Sequence, residues 1–181
     1  MNPPEDRMAV AARARAAIRE IADFPKAGIL FKDITPLLAD KALFRQVTTA
    51  MSAPFAGQGI THVVGIESRG FILGAPVAQQ LGAGFVPVRK PGKLPGPVLR
   101  EDYALEYGSD ALEIHDDALA PESRVLVVDD VLATGGTAAA TCRLIERTRA
   151  HVVACVFLLE LTDLAGRKRL TDRNVTALVA F

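Results

Sequence analysis

Asp129 and Asp130 stand side by side at the end of the apolar run Val125-Leu126-Val127-Val128, and a turn of small residues, Ala133-Thr134-Gly135-Gly136-Thr137, follows them. Two adjacent carboxylates repel anions and attract hydroxyl groups or cations. A Gly-rich turn that opens a helix does the reverse. Its unpaired backbone N–H groups converge, the helix dipole adds partial positive charge, and phosphate is the natural guest. Thr134 and Thr137 offer hydroxyl donors to the same cradle. A sugar phosphate with free hydroxyls, accompanied by a metal ion, satisfies both halves. No Lys follows the glycines, so the run is not a Walker loop, and the glycine spacing does not match a dinucleotide fingerprint. Asp-Asp alone also caps turns, and Gly-Gly alone also bends chains. The specific signal is the whole run from Val125 to Thr137.

Other groups have chemistry to offer. Glu67-Ser68-Arg69-Gly70 makes a second anion site if a helix opens there, with Arg69 able to grip a phosphate in bidentate fashion. Arg89-Lys90-Pro91-Gly92-Lys93 places three cations at the start of a Pro- and Gly-rich loop, Pro91 to Asp102. Basic clusters often serve only as solvated faces. This loop, however, has the length of an active-site lid, and cations on it would close over a polyphosphate and exclude water. Glu106, near Tyr103 and beside Tyr107, is either an exposed strand acid or, once desolvated, a proton-transfer group. Phe31, in the glycine-flexed segment Pro25 to Asp33, is either core or a ring that stacks on a planar base. His62, His115 and His151 are too scattered for a metal cluster.

Bringing these groups to one place requires a sheet whose strands all point the same way. Four apolar residues in a row read as a strand covered on both faces, with the two acids where the chain leaves the sheet. The periodicity predicts further strands at Thr61–Ile66, Phe85–Val88, His151–Leu159 and Val175–Phe181, and a strand pair at Tyr103–Tyr107 and Ala111–Ile114. Helices are expected over Met8–Ala22, Ala42–Met51 and Phe71–Leu81, and from Ala138 after the glycine turn. Met8, Ala11, Ala14, Ile18 and Ile21 mark the inner face of the first, which Phe24-Pro25 ends. Strand–helix alternation with short connections implies an α/β fold, a mostly parallel sheet with helices on both faces. Such sheets bind ligands beyond the carboxyl ends of their strands. Glu67–Arg69, Arg89–Lys90, Asp129–Thr137 and Glu160–Thr162 are thereby expected on one rim.

The bulk composition narrows the function. The chain of 181 residues balances 21 basic against 21 acidic side chains, which disfavours binding to nucleic acid. Half its residues are hydrophobic, yet no apolar run approaches the ~18 residues of a membrane span. Cys142 and Cys155 have neither metal spacing nor a disulfide framework around them. Two buried thiols in a reducing cytoplasm are expected. Glu5, Asp6, Glu20 and Asp23 around the Arg- and Ala-rich start argue against a transit peptide.

The run Val125–Thr137 resembles the phosphoribosyl pyrophosphate (PRPP) motif of the type I phosphoribosyltransferases. Phe24-Pro-Lys-Ala-Gly-Ile-Leu-Phe-Lys-Asp-Ile-Thr-Pro36, Glu67-Ser-Arg-Gly-Phe71, Val88-Arg-Lys-Pro-Gly-Lys-Leu-Pro95, Leu105-Glu-Tyr-Gly108 and Leu159-Glu-Leu-Thr162 follow in the order seen in the adenine-specific branch. The resemblance covers about Phe24 to Arg169. It implies a single domain over residues 1–181 with a hood at about 24–36 and a flexible lid at about 91–110. It also implies a purine-salvage pentosyltransferase that makes AMP and pyrophosphate from adenine and PRPP. Magnesium would enter bound to PRPP rather than to the protein, and the enzyme would be a homodimer with no nucleic-acid or membrane partner.

By the same resemblance, Asp129 and Asp130 hold the ribose hydroxyls, and Ala133, Thr134, Gly135, Gly136 and Thr137 hold the 5′-phosphate. Arg69 and the peptide between Glu67 and Ser68, which is cis in relatives, face the pyrophosphate. Arg89, Lys90 and Lys93 join them from the lid. Phe31 and Leu161 sandwich the base, the backbone of Leu30 reads its ring edge, and Glu106 transfers the proton. Lys32 stands where relatives commonly have Arg, which keeps the cation but loses bidentate geometry. Hypoxanthine–guanine enzymes usually carry an aspartate at the position of Ala133, so Ala133 favours adenine over those two bases. Xanthine-type enzymes also have a small residue there. A PRPP-sensing regulator is a further alternative, against which the neutral charge speaks.

Overall fold

The computed structural model describes residues 6–104 and 109–181. The chain divides into two compact units, Met1–Ala50 and Met51–Phe181.

The second unit is built around β7 (Arg124–Leu132). Val125, Leu126, Val127 and Val128 are fully buried in it. At roughly 1.5–3 kcal/mol for each large apolar side chain removed from water, such a strand is stable only with cover on both faces. Around it lie β3 (His62–Ile66), β4 (Gly84–Val88), β8 (His151–Glu160) and β9 (Val175–Ala180) in the order β4-β3-β7-β8-β9. Every neighbouring pair is parallel. β3 runs through α4 (Arg69–Leu81) to β4 on one side, and β7 runs through α5 (Gly136–Arg147) to β8 on the other. Right-handed crossovers in opposite directions set the two helices on opposite faces. Accordingly α4 touches β3, β4 and β7, while α5 touches β7 and β8. The expected α/β architecture is the one found, and the five-stranded sheet is parallel throughout. Its topological switch point, where such sheets bind ligands, lies between β3 and β7.

A separate antiparallel pair, β5 (Val98–Ala104) and β6 (Ser109–His115), packs on α5. Tyr103, Leu112 and Ile114 from this pair join Leu144 and Ile145 of α5 and Val127, Cys155 and Phe157 of the sheet in one buried cluster. The loop expected over Pro91–Asp102 is therefore shorter, because strand begins at Val98. Register explains the difference: β5 and β6 pair without a break from Val98↔His115 to Ala104↔Ser109. Glu101 also ties β5 to α5 through Arg143 at 2.5 Å and Arg147 at 3.6 Å.

β7 corrects a second boundary. Its pairing with β3 stops at Gly65↔Val128, but its pairing with β8 continues to Leu132↔Glu160. Asp129 and Asp130 thus lie inside the strand and beyond the reach of β3, rather than past its end.

The first unit holds α1 (Arg7–Ala17), the antiparallel pair β1 (Arg19–Ala22) and β2 (Leu30–Asp33), α2 (Thr35–Ala39) and most of α3 (Lys41–Ser52). The expected helix Met8–Ala22 breaks at Ile18, whose backbone is extended. Pairing with β2 outweighs continued helix from Arg19 onward, a tertiary choice that local periodicity does not carry. The buried face of α1 is Val10, Ala14 and Ile18, and Met8 is 79% exposed. α3 matches its expectation, with Leu43, Val47 and Met51 buried. Asp40 caps it by accepting the N–H groups of Ala42 at 2.9 Å and Leu43 at 3.1 Å.

Candidate active site

The switch point opens where β3 lets go of β7. Beyond Ile66 comes a cis peptide between Glu67 and Ser68, and then α4 starts at Arg69. A Cβ on Gly70 would lie 2.8 Å from the Val128 carbonyl and 2.9 Å from Asp129 Oδ1. Glycine alone lets the first turn of α4 rest on β7. That contact brings Arg69 Nε to 2.9 Å from Asp130 Oδ2, with the Asp130 side chain only 5% exposed.

Burial shifts both acids. It pushes the Asp129 carboxyl well above the usual carboxylate range, the negative Asp130 adds to the shift, and the Asp130 N–H and Arg69 only partly offset it. Asp130 is also raised by burial, against the pull of Arg69. A carboxyl group exchanges hydrogen bonds with hydroxyl groups in either protonation state.

Glu67 behaves in the opposite way. Burial acts to raise its pKa, but hydrogen bonds from the Lys93 ammonium and the Lys90 N–H, with the Arg89 guanidinium paired beside them, outweigh it and hold the group below its usual value. Lys93 Nζ is 2.5 Å away, the Lys90 N–H 3.0 Å and Arg89 Nε 3.4 Å. Arg89 exchanges backbone hydrogen bonds with Glu113, which ties the C-terminal half of β6 to the end of β4. Lys90 forms an ion pair with Asp110, whose Oδ2 also accepts from the Tyr103 hydroxyl at 3.2 Å. The Tyr103 oxygen lies 3.4 Å from Thr137 Oγ1.

The small-residue turn opens a helix, as expected. Gly135 has φ +80°, α5 starts at Gly136, and the Gly135 carbonyl accepts the Ala139 N–H at 3.0 Å. The first-turn N–H groups of α5 have no acceptor within the helix. A second reason for glycine emerges here. A Cβ on Gly135 would fall 2.3 Å from the Gly166 carbonyl oxygen, and one on Gly166 would fall 2.2 Å from the Ala133 carbonyl oxygen. The short helical turn Gly166–Arg169 buttresses the cradle backbone to backbone. Leu161, partly exposed beside it, donates its N–H to the Leu132 carbonyl at 2.9 Å. Glu160 is taken up by Arg167 through hydrogen bonds of 2.8–2.9 Å and serves structure.

The second unit thus gathers Glu67, Ser68, Arg69, Arg89, Lys90, Lys93, Asp129, Asp130, Ala133–Thr137 and Leu161 at the carboxyl ends of its strands. Leu30 and Phe31 belong to β2 of the first unit. Leu30 is 49% exposed there, and the Phe31 ring meets Phe24 edge-on at 5.1 Å. Lys32 pairs with Glu20 in the same hairpin. Glu106 lies outside the described residues.

Sequence reasoning passed over Gly166, Tyr103 and Asp110. Gly166 carried a weak turn signal beside Ala165, whereas the meeting of Tyr103 and Asp110 depends on hairpin register.

Residues 34–179 match the family model described as a phosphoribosyl transferase domain. The chain is 56% identical over 184 aligned positions to adenine phosphoribosyltransferase of Myxococcus xanthus, covering all of both chains. The crystal structure of adenine phosphoribosyltransferase from Rhodothermus marinus superposes with a TM-score of 0.91 at 55% identity, over 96% of this chain and 99% of that one. The enzyme from Saccharomyces cerevisiae, solved with an imino-altritol bisphosphate and adenine, gives a TM-score of 0.89 at 40% identity, over 94% and 98%.

Proposed function

The chain belongs to the phosphoribosyl transferase family and, within it, to the adenine phosphoribosyltransferases, and from that premise we propose which of its residues do which work. It moves the 5-phosphoribosyl group of PRPP onto adenine, giving AMP and pyrophosphate. The observation that carries the assignment of roles is the meeting, at one switch point, of a helix-opening glycine turn with the buried Asp130 and its half-buried neighbour Asp129. The cradle at Ala133–Thr137 binds the 5′-phosphate, and Asp129 and Asp130 bind the ribose hydroxyls.

In the reaction the bond from the anomeric carbon to pyrophosphate breaks and a bond to a ring nitrogen of adenine forms. Positive charge gathers on the sugar and negative charge on the leaving group. Arg69, Arg89, Lys90 and Lys93 are placed to stabilise the latter. Adenine sheds a ring proton as it bonds, which the proposal assigns to Glu106. Leu30, Phe31 and Leu161 are proposed as the base-binding residues, on the strength of their motifs.

Magnesium belongs to the same proposal. Arg69, Arg89, Lys90 and Lys93 are already paired with Asp130, Glu67 and Asp110, so these side chains by themselves leave a polyanionic substrate undercompensated. An ion carried on PRPP would supply the missing positive charge to its oxygens. A homodimer, which rests on the resemblance, and a cytoplasmic location, which rests on the cysteine pattern, complete the reading. Among the described residues no helix is long and apolar enough to cross a membrane.

Pyrophosphate release from PRPP and magnesium, measured with adenine, hypoxanthine, guanine and xanthine in turn, tests the function. Release with adenine alone is expected. Release that favours a 6-oxopurine, or binding of PRPP without turnover, would overturn it.

A further inference from the structure

Each of the four cations proposed for the pyrophosphate already holds a carboxylate. Arg69 holds Asp130, Arg89 and Lys93 hold Glu67, and Lys90 holds Asp110. Asp130 and Glu67 belong to the motifs already assigned. Asp110 does not. It stands on β6 as the cross-strand partner of Tyr103.

Its carboxylate is aimed by more than one donor. Oδ2 accepts from the Lys90 ammonium and, at 3.2 Å, from the Tyr103 hydroxyl, while Oδ1 accepts the Ala111 N–H at 2.8 Å. Tyr103 is buried, and its ring lies 5.9 Å from Lys90 Nζ. The ammonium is therefore fixed from two sides, by a ring below it and a carboxylate in front of it.

To an ammonium, a carboxylate oxygen and a phosphate oxygen are equivalent partners, since both are anionic acceptors at similar distances. To each other they are repulsive. A pyrophosphate that engages Lys90 must do so against Asp110, and Asp110 is in place to recover the ammonium as the product leaves. We infer that Asp110 is a positioning residue that competes with pyrophosphate for Lys90, holding the ammonium in place between turnovers and hastening release of the product. The inference rests on the assignment of Lys90 to the pyrophosphate.

Asp110→Asn keeps the shape and the hydrogen-bond acceptor and removes the charge. In the full-length enzyme with magnesium, pyrophosphate should bind about threefold more tightly and dissociate about threefold more slowly, the scale of a partly exposed ion pair. AMP affinity should stay unchanged. Asp110→Ala should shift pyrophosphate in the same direction. A carboxylate that merely braces the hairpin would instead weaken AMP and pyrophosphate together. Calorimetry and stopped-flow displacement give both quantities. Unchanged or weaker pyrophosphate binding in the two Asp110 variants overturns the competition. Lys90→Gln tells the two failures apart. If it weakens pyrophosphate binding while the Asp110 variants bring no gain, only the competition is lost. If it leaves pyrophosphate binding unchanged, the assignment of Lys90 falls and the competition falls with it.

Discussion

Two neighbouring carboxylates in a buried strand repel each other, and at Asp129 and Asp130 that repulsion is offset only in part by Arg69 and local N–H donors. Both groups ionise at higher pH in the folded chain than in the unfolded one, with burial the main cause. Folding thus favours their protonated form. That contribution is complete below the unfolded carboxylate range near ~4 and is lost as pH rises through the folded values. Glu67 has the opposite sign. Its lowered pKa supports the fold above the unfolded range and stops doing so as pH falls through the folded value. Asp129→Asn should accordingly raise the melting temperature at pH 8 by about 2–4 °C, the effect of ~1 kcal/mol in a chain of this size, and by less at pH 5. AMP affinity should fall in the same variant. Thermal melts at both pH values with an AMP titration check this, and a lower melting temperature at pH 8 would mean that the Asp129 charge stabilises the fold.

At the scale of elements, the turn Ala133–Thr137, to which we assign the 5′-phosphate, is braced by the backbone of a second turn at Gly166. Gly166 sits where any Cβ would meet the Ala133 carbonyl at 2.2 Å, so its absence of a side chain sets the shape of the loop. Gly166→Ala should push the loop away from the start of α5. PRPP and AMP affinity should both fall tenfold or more, with some loss of stability, because backbone cannot yield as a flexible side chain does. Equilibrium binding of AMP to the folded variant decides the matter, and wild-type affinity would detach the turn from the cradle. The β5–β6 pair is an equally firm neighbour. Glu101 holds it to α5, the Glu113 carboxylate holds the Gly92 N–H at 2.9 Å, and His115 Nε2 lies 2.8 Å from the Pro95 carbonyl.

Over the second unit as a whole, stability and site share the same strands. The fully buried part of β7 is the middle of the core, and its next residues are the carboxylates of the site. Cys142 on α5 and Cys155 on β8 meet in that core, with their sulfurs 3.5 Å apart and almost no exposed surface. The contact with Cys142 and, after it, burial push the Cys155 thiol far up, while the same contact lowers the Cys142 thiol, and burial keeps reagents from both. A thiol reagent such as dithiobis-nitrobenzoate should leave both cysteines untouched in the native protein and modify both after unfolding. Their modification rate should follow global opening. Rapid modification of either thiol under native conditions would contradict this packing.

What could be read from the residues themselves was whatever is decided locally. Four apolar residues in a row bounded by turn signals read as a strand covered on both faces, and the small residues after them as a close helix start. The alternation of such segments leaves few topologies besides a parallel sheet. The rim that carries Glu67–Arg69, Arg89–Lys90 and Asp129–Thr137 follows from those facts alone. The tertiary structure decided what depends on partners far along the chain. Pairing with β2 turned Arg19–Ala22 from helix into strand, and pairing with β8 kept Asp129 and Asp130 inside β7. Register alone set Asp110 beside Tyr103 and within reach of Lys90, and close backbone contact alone made Gly166 part of the cradle. Periodicity and turn chemistry act over a few neighbouring residues, whereas a strand's last pairing or an ion pair's partner is chosen by packing across the sheet, where only the folded chain brings the two sides together.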